Sequence, residues 1–410
     1  MSLIRCLPIA SVKDARRQMK HVGVDADGIH AMEGKTVHLN LRVEGIPPRT
    51  ANVLKQEMLS LGGDAAVNAR AFDCSTESTD AIVTGTPNQI ETLILKLNRY
   101  PGLAPLVGDL KETVQRISKK QFLIRCKKKT FPLGTKTLLM GVLNVTPDSF
   151  SDGGLFYDED KAVAHGLRMA EEGADLIDIG GESTKPGSKP LDLDEELRRV
   201  IPVIESLAAR VDTPISIDTY KSSVAKRALD AGAQILNDIS GLNLDPDLAR
   251  VAAGEGVPLI LMHIRGIPET MQKDVHYDSL LSEILQSLKR SVEKAEAAGV
   301  NPEQIIVDPG IGFGKNLADN LLLIKNLSEF CILGKPILLG TSRKSFIGKL
   351  LSGADVTERL EGTLASTVIG IMNGAHIVRC HDVLQAKRAI TIADAIRLAG
   401  TESDEFGVRS

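Results

Sequence analysis

The chain has 410 residues, of which 43% are hydrophobic and 25% charged, and its formal net charge is −4. This length favours one large domain with a smaller one, and the apolar content is sufficient for a sizeable core. The slightly acidic chain has no Trp and only 3% aromatic residues, so it lacks the basic surface and stacking platforms of nucleic-acid-binding proteins. We therefore expect no nucleic-acid partner.

The cysteines and the N-terminal residues favour a location in the cytoplasm. The five cysteines include no Cys-x-x-Cys pair, which disfavours a disulfide framework or a zinc knuckle and favours a reducing cytoplasm. Near the N-terminus the only apolar run, 7–10, is too short for the core of a signal peptide. No stretch approaches the ~20 apolar residues of a membrane-spanning helix. We predict a cytoplasmic location and no membrane partner.

Residues 1–118 are predicted to form a small α/β domain of unknown role. The predicted elements, in chain order, are a strand at 36–43, a helix at 49–61, a strand at 80–85 and a helix at 87–100. No group of residues with catalytic chemistry stands out in this part. His21, His30 and His38 are scattered along it, and we interpret them as surface or structural residues.

Residues 119–137 are predicted to be a linker or hairpin. The stretch 119–129 is strongly basic, which is compatible with polyanion binding, but a solvated hairpin or linker is the simpler interpretation. A turn at Pro132-Leu-Gly134 precedes the next domain.

From residue 138 to 410 one pattern repeats: a short apolar run, polar or glycine residues, and an amphipathic helical segment. The apolar runs are 138–145, 175–180, 214–218, 235–239, 258–263, 305–308, 336–340 and 377–381. Such runs are typical of parallel strands that are buried on both faces. Eight strand–helix units predict a (β/α)₈ TIM barrel, whereas the alternative, a doubly wound open sheet, usually has fewer strands.

Polar side chains occur at the C-terminal end of nearly every predicted strand, which in this barrel is the end that carries the active site. They include Asn144, Thr184, Asp218, Asn237, His263, Asp308, Lys344, Arg379 and His381. A single one of them is as easily a helix cap or a turn residue. Because eight such ends converge on one mouth, we interpret the whole set as a functional site.

The deeper residues suit a flat heterocycle such as a pterin. Asp218, Asn237 and Asp308 combine two carboxylates with an amide, and a guanidine-like ring edge donates a pair of hydrogen bonds to a carboxylate. Lys344 is suited to donating to acceptors of the ring. Apolar contacts to the ring faces are expected from Met262 and Phe313.

A second group suits an anion. Arg379 and protonated His381 bind phosphate oxygens well, Thr184 lies with them at the mouth, and Asn144 is able to reach a bound Mg²⁺. The combined chemistry is displacement of a phosphate leaving group from a ring-bearing substrate.

Together these motifs resemble the dihydropteroate synthase family over about residues 138–398. Met140-Gly-Val-Leu-Asn-Val-Thr-Pro-Asp-Ser-Phe-Ser-Asp-Gly-Gly154 is similar to the first family signature, and Asp178-Ile-Gly-Gly-Glu-Ser-Thr184 to the second. The other matches, in the family's order, are 216–219, 237–241, 262–263, 308–315, 342–346 and 379–382.

The resemblance implies an activity and an assembly. The family condenses 6-hydroxymethyl-7,8-dihydropterin diphosphate with p-aminobenzoate in folate biosynthesis, releases pyrophosphate, and usually forms homodimers. The matching pterin-pocket residues are Asp218, Asn237, Met262, Asp308, Phe313 and Lys344. Those for pyrophosphate and Mg²⁺ are Asn144, Thr184, Arg379 and His381, with Asn144 as the metal ligand. Those for p-aminobenzoate are Phe150 and Pro186 in closing loops and Ser345, near its carboxylate, at a helix N-terminus.

The implied mechanism is SN1-like, with Asp218, Asp308, Lys344 and Arg379 as catalytic residues. Mg²⁺, Arg379 and His381 stabilise the leaving pyrophosphate, and the carboxylates stabilise a cationic pterin intermediate that the aniline attacks.

One position departs from the family and two rivals remain. Lys185 stands where the family commonly has Arg, which keeps the charge but loses the bidentate fork, so phosphate contacts in that loop are less certain. The rivals are a methyltetrahydrofolate methyltransferase, which needs no diphosphate site, and a non-catalytic pterin-binding paralogue that has lost the closing loops.

Overall fold

The structure, a computed structural model, describes residues 3–9, 11–127, 129–146 and 159–399. It divides into two compact units, Met1–Gln115 and Arg116–Ser410, close to the boundary predicted after residue 118. In the described ranges, no helix has both the length and the apolar character needed to cross a bilayer.

The first unit contains a three-stranded antiparallel sheet in the order β1–β3–β2. Its strands are β1 (Leu39–Ile46), β2 (Asp64–Val67) and β3 (Thr79–Gly85), and its helices are α1 (Val12–Val22), α2 (Ala26–Met32), α3 (Pro48–Ser60), α4 (Pro87–Leu97) and the start of α5 (Ala104–Ser118). The core is formed by fully buried side chains of α3, β3 and α4: Leu54, Met58, Val83, Ile90 and Leu93. The two strands and two helices predicted here correspond to β1, α3, β3 and α4.

A short hairpin precedes the barrel in the second unit. Its strands β4 (Phe122–Arg125) and β5 (Thr130–Leu133) pair antiparallel. Ile124 and Leu133 belong to one buried cluster with the first inward-facing residues of the barrel strands, among them Leu138, Leu176 and Ile235. The hairpin therefore closes the N-terminal end of the barrel.

The barrel strands follow in chain order and are parallel. They are β6 (Leu138–Asn144), β7 (Leu176–Gly180), β8 (Ile215–Asp218), β9 (Ile235–Asp238), β10 (Leu259–Met262), β11 (Ile305–Asp308), β12 (Leu338–Leu339) and β13 (Ile377–Cys380). The sheet order is β11–β10–β9–β8–β7–β6–β13–β12. A parallel bridge between Val307 and Ile337 joins its two ends, so the eight strands form the predicted (β/α)₈ barrel.

Helices surround this barrel. They are α6 (Glu159–Glu171), α7 (Leu193–Ala208), α8 (Ser222–Asp230), α9 (Asp247–Glu255), α10 (Leu280–Ala297), α11 (Leu317–Lys325), α12 (Ser345–Leu350), α13 (Leu360–Met372) and α14 (Val383–Leu398). Outward-facing strand residues such as Ile177, Ile217 and Leu261 share one buried cluster with the apolar helix faces, which forms the main core.

The two-residue period of the strands sorts their inward-facing side chains into two layers. The lower layer, against the hairpin, is apolar and includes Leu176, Ile235, Ile260, Ile306 and Ile377. Two residues further along the same strands, the upper layer holds Asp178, Asn237, Met262, Asp308 and Arg379. The fold therefore places polar groups over a closed apolar floor.

Candidate active site

The centre of the upper layer is a charged network built on Arg379. From β13 its guanidinium reaches two carboxylates: Nε donates to Asp178 Oδ2 at 2.6 Å and Nη2 donates to Asp218 Oδ2 at 2.8 Å. Asn237 Nδ2 donates to the same Asp178 oxygen at 2.9 Å. Arg379, predicted from the sequence to bind phosphate, thus also pairs with Asp178 and with Asp218, one of the predicted ring-binding residues.

Burial shifts the proton affinities of this layer. It raises the pKa of Asp218 to about 7, although the Arg379 guanidinium opposes the shift. It raises the pKa of Asp308 to about 6, against the Gly310 N–H, which donates to Asp308 Oδ1 at 2.7 Å. Burial also lowers the pKa of Lys344 to about 8, helped by the positive charge of Arg379. Carboxylates and ammonium therefore titrate in the neutral range, as is common in active sites.

Apolar side chains line one side of the layer. Met262 and Phe313 belong to a buried cluster with Ile239 and Met271. The ammonium of Lys344 lies 4.1 Å from the centroid of the Phe313 ring, a cation–π contact. The predicted ring-binding residues Met262, Phe313 and Lys344 thus share one wall of the site.

His381 is neutral in this structure, in contrast to the protonated imidazole that was expected. Burial, reinforced by the charges of Arg379 and Arg343, lowers its pKa to about 3. The hydroxyl of Ser342 accepts the backbone N–H of His381 at 3.1 Å and lies 2.9 Å from its Nδ1.

Lys315 and His263 form a buried pair, of which only His263 was predicted from the sequence to lie among the polar residues at the strand ends. Lys315 Nζ lies 2.9 Å from His263 Nδ1 and donates to the Phe313 carbonyl at 2.9 Å. Burial lowers the pKa of Lys315 to about 7 and the pKa of His263 well below its usual value. These contacts attach the loop carrying Phe313 to the end of β10.

Gly310 is required by the same loop. Its φ is +70°, and a Cβ at this position would lie 1.9 Å from the His263 carbonyl oxygen. Glycine is the residue that adopts this left-handed conformation without strain. The backbone can therefore cross close to β10 while its N–H binds Asp308.

The loop after β7 is anchored by a lysine. Lys221 Nζ donates to Glu182 Oε2 at 2.7 Å and to Glu196 Oε2 at 2.6 Å. Further along this loop Thr184 is half-buried and Pro186 is exposed. The loop therefore has a fixed base, and its predicted substrate-binding residues lie beyond it.

The remaining predicted residues lie at the rim. Asn144 ends β6 and is half-buried, and Ser345 begins α12 and is exposed. Phe150 lies outside the described residues. No group of three or more His, Cys, Asp or Glu side chains in the described ranges is arranged to hold a metal ion.

Asp178 is the functional candidate that the sequence analysis missed. It was quoted within a motif but given no role, although it is completely buried and contacts two predicted site residues. The available signal was a carboxylate inside an apolar run, in phase with the inward-facing residues Leu176 and Gly180. Burying a carboxylate at such a position costs folding free energy unless the charge is paired and hydrogen-bonded.

Comparisons with known proteins agree with this geometry. A family model described as "Pterin binding enzyme" matches residues 140–381. The chain is 51% identical over 269 residues to the dihydropteroate synthase of Clostridium beijerinckii. This match covers 65% of this chain and 97% of that protein. A structure of Xanthomonas albilineans dihydropteroate synthase with 4-aminobenzoic acid has a TM-score of 0.63 and 42% identity, covering 68% of this chain and 98% of the other.

A further relative extends over both units. The "Probable bifunctional folylpolyglutamate synthase/dihydropteroate synthase" of Haloferax volcanii is 40% identical over 403 residues. The match covers 94% of this chain but 47% of the relative, so this chain spans about half the length of that protein. Because the match covers 94% of this chain, the similarity extends into the first unit as well as over the barrel.

Proposed function

This chain belongs to the dihydropteroate synthase family of pterin-binding enzymes, and from that premise we propose that it condenses 6-hydroxymethyl-7,8-dihydropterin diphosphate with p-aminobenzoate. The products are 7,8-dihydropteroate and pyrophosphate. The observation that carries this proposal is the upper layer of the barrel, where Asp218, Asn237, Asp308 and Lys344 surround one buried site.

The pterin ring is held by complementary hydrogen bonds. One oxygen of Asp308 accepts the Gly310 N–H, and its other oxygen is available to the guanidine-like edge of the ring. Asn237 and Asp218 offer further polar groups, and Lys344 donates to a ring acceptor. The wall formed by Met262 and Phe313 contacts the ring face and keeps water away from it.

The diphosphate is held nearer the rim. In the tautomer that carries its hydrogen on Nε2, the neutral His381 ring offers a donor. Arg379 keeps the N–H groups that Asp178 and Asp218 do not use. The half-buried amide of Asn144 provides one oxygen ligand for Mg²⁺, which prefers oxygen ligands and keeps substrate phosphates in its shell. Bound there, Mg²⁺ supplies positive charge beside the leaving group.

The reaction breaks the bond between the exocyclic methylene carbon and the diphosphate oxygen, and the electron pair leaves with pyrophosphate. The resulting cation is stabilised by the carboxylates of Asp218 and Asp308, which lie in a site of low polarity. The aniline nitrogen of p-aminobenzoate then attacks the methylene carbon and loses a proton. We place the carboxylate of p-aminobenzoate near Ser345 and its ring beside the loop that carries Pro186.

Pyrophosphate release tests the function. Purified protein with the pterin diphosphate and Mg²⁺ is expected to release pyrophosphate and form dihydropteroate when p-aminobenzoate is added. Asp218→Ala is expected to lose most of this activity, and Asp230→Ala, which removes an exposed carboxylate paired with Lys226, is expected to retain it. A wild-type protein that binds the pterin but forms no dihydropteroate would favour the non-catalytic alternative. Methyl transfer from methyltetrahydrofolate would favour the other rival.

The pH dependence of kcat/KM for the pterin diphosphate is expected to be bell-shaped. Activity rises through the pKa values of Asp308, about 6, and Asp218, about 7, because the ionised carboxylates accept the ring N–H groups and stabilise the cation. Activity falls through the pKa of Lys344, about 8, because the ammonium loses a proton and becomes a neutral amine. Lys344→Arg removes the titrating group, so the alkaline limb is expected to vanish even though the maximum is lower. An alkaline limb that stays near pH 8 in this variant would contradict the assignment.

We propose a homodimer formed by an apolar face of α11, α12 and α13. Six large hydrophobic residues are exposed there: Leu321, Leu322, Leu350, Leu351, Ile369 and Met372. Four of them, Leu321, Leu350, Leu351 and Ile369, line a depression of about 390 Å³. A contiguous exposed apolar surface of this kind is typical of interfaces, and a second copy presents the same surface for twofold packing.

Sedimentation velocity tests the assembly. The wild type is expected to sediment as a dimer, and Ile369→Lys as a monomer, because the variant places an unpaired charge in the apolar contact. Val22→Lys, at an exposed apolar position of α1, is the matched control and is expected to stay dimeric. A monomeric wild type at micromolar concentration would refute the proposal.

The state of the cysteines supports a reducing compartment. Cys6, Cys74, Cys126, Cys331 and Cys380 are free thiols. Free thiols persist in a reducing environment, which supports our proposal that the reaction takes place in the cytoplasm.

A further inference from the structure

We propose that Asp178 is a positioning residue of the reaction, which fixes the Arg379 guanidinium and the Asn237 amide so that their remaining polar groups face the substrates. The inference rests on the proposed function. Asp178 lies in the middle of β7, exposes none of its side chain, and receives both donors on Oδ2, at 2.6 Å and 2.9 Å. Its other oxygen, Oδ1, is buried and has no hydrogen-bond partner in the described parts of the chain.

The position is not one that stability of the barrel requires. Inner positions of such barrels are usually filled by branched apolar residues, as Leu176 does one layer below. A buried carboxylate with one unpaired oxygen is less favourable to folding than an apolar side chain of similar size. Its presence in the site layer therefore points to function.

Asp178 holds Arg379 in a way that Asp218 alone does not. The guanidinium extends from β13, and β6 lies between that strand and β7, so this long side chain crosses the inside of the barrel. Its Nε is bound to Asp178 and its Nη2 to Asp218. When Asp218 turns to the substrate, Asp178 is the anchor that remains, and Nη1 stays directed at the leaving group.

Asp178 also sets the direction of the Asn237 amide. Because Nδ2 donates to Asp178, the amide is not free to rotate by half a turn. Asn237 then presents its oxygen and its second N–H to the ring in a fixed order. One carboxylate oxygen therefore couples the group that contacts the ring to the group that contacts the leaving diphosphate.

The test is Asp178→Asn, which preserves size and removes charge. We expect kcat to fall by about 10–100-fold, the usual effect of removing a partner that orients a site residue. The affinity for the pterin diphosphate, measured by calorimetric titration, is expected to fall, and KM for p-aminobenzoate is expected to stay within a factor of about two. The melting temperature is expected to fall, because Arg379 loses one of its two buried carboxylate partners and keeps Asp218. kcat is therefore compared well below the melting temperature of the variant.

Ser216→Ala is the matched control. Ser216 pairs with Asp178 in the register of β7 and β8, is completely buried, and has a hydroxyl without a hydrogen-bond partner among the described residues. The variant is expected to keep wild-type kcat. A double-mutant cycle adds a readout specific to positioning: in the Arg379→Ala background, Asp178→Asn is expected to cost much less than in the wild type.

The outcomes separate the two hypotheses. An inactive wild type refutes the proposed function. If the wild type is active and Asp178→Asn keeps kcat within threefold of it, the inference about Asp178 is overturned. The inference is also overturned if kcat of the variant falls only because its melting temperature is lower, so that cooling recovers the activity. If Asp178→Asn does not fold, Asp178→Ser is measured in the same way, and failure of both variants to fold also overturns the inference, since Asp178 would then be structural.

Discussion

Replacing Lys344 with methionine is expected to lower kcat/KM for the pterin diphosphate by about 10²–10³-fold, the effect of removing one preorganised donor from a buried site. The ammonium lies over the Phe313 ring at 4.1 Å. Methionine retains much of the length and packs against aromatic rings, so the apolar wall is preserved while the donor is lost. Steady-state pyrophosphate release at varied pterin diphosphate measures the effect, and KM for p-aminobenzoate is expected to change little.

Lys349→Met is the matched control, because Lys349 is an exposed lysine of the same helix region. It is expected to show wild-type kinetics. A Lys344→Met enzyme within threefold of the wild type would show that ring acceptors do not depend on this ammonium. Equal losses in both variants would point to a general effect of removing positive charge.

The barrel was predictable because its strands are buried on both faces. Parallel strands covered by helices contain nearly continuous apolar runs, and each of the eight runs contains an observed strand. The shortest is β12, Leu338–Leu339, where the run 336–340 also includes the bridge residue Ile337. In the first unit, β2 was missed because Asp64–Val67 is short, rich in alanine and has no clear alternation.

The position of site residues along the strands was also predictable, but their pairing was not. A strand end determines which rim a side chain occupies. Arg379 has a long side chain, and which of several nearby groups it contacts depends on the width of the barrel and on carboxylates from β7 and β8. The sequence therefore indicated that Arg379 lies at this end of the barrel, but not that its guanidinium binds Asp178 and Asp218.

The charge state of a side chain in the site was harder to predict than its position, because it depends on burial and on neighbouring charges. An imidazole near phosphates is reasonably expected to be protonated, yet burial and two guanidinium groups lower the pKa of His381 to about 3. Asp178 was overlooked for a related reason: a single acidic residue in an apolar run has no partner until the strands are placed side by side. Both features arise from contacts between distant parts of the chain.

Replacing Arg379 with methionine is expected to destabilise the protein by about 3–5 kcal/mol at pH 8, besides abolishing most activity. Removing one partner of a buried ion pair leaves uncompensated charge, which costs more than the pair contributed. Arg379 contacts Asp178, which is fully buried, and Asp218, whose side chain is 10% exposed. The midpoint of urea unfolding, followed by circular dichroism, measures the loss.

The loss is expected to shrink as the pH falls from 8 to 5, and this dependence identifies its cause. In the wild type, burial already raises the pKa of Asp218 to about 7 against the opposing charge of Arg379, so the pKa rises further when that charge is absent. A carboxyl whose pKa is raised in the folded state stabilises the fold below its unfolded pKa, and this contribution is lost as the pH increases through the folded value. Protonation at pH 5 therefore removes part of the repulsion between the two carboxylates. The control is Arg250→Met, which removes an exposed ion pair with Asp247 and is expected to change stability little at either pH. If Arg379→Met loses the same free energy of unfolding at pH 5 and at pH 8, lost packing and not uncompensated charge is responsible.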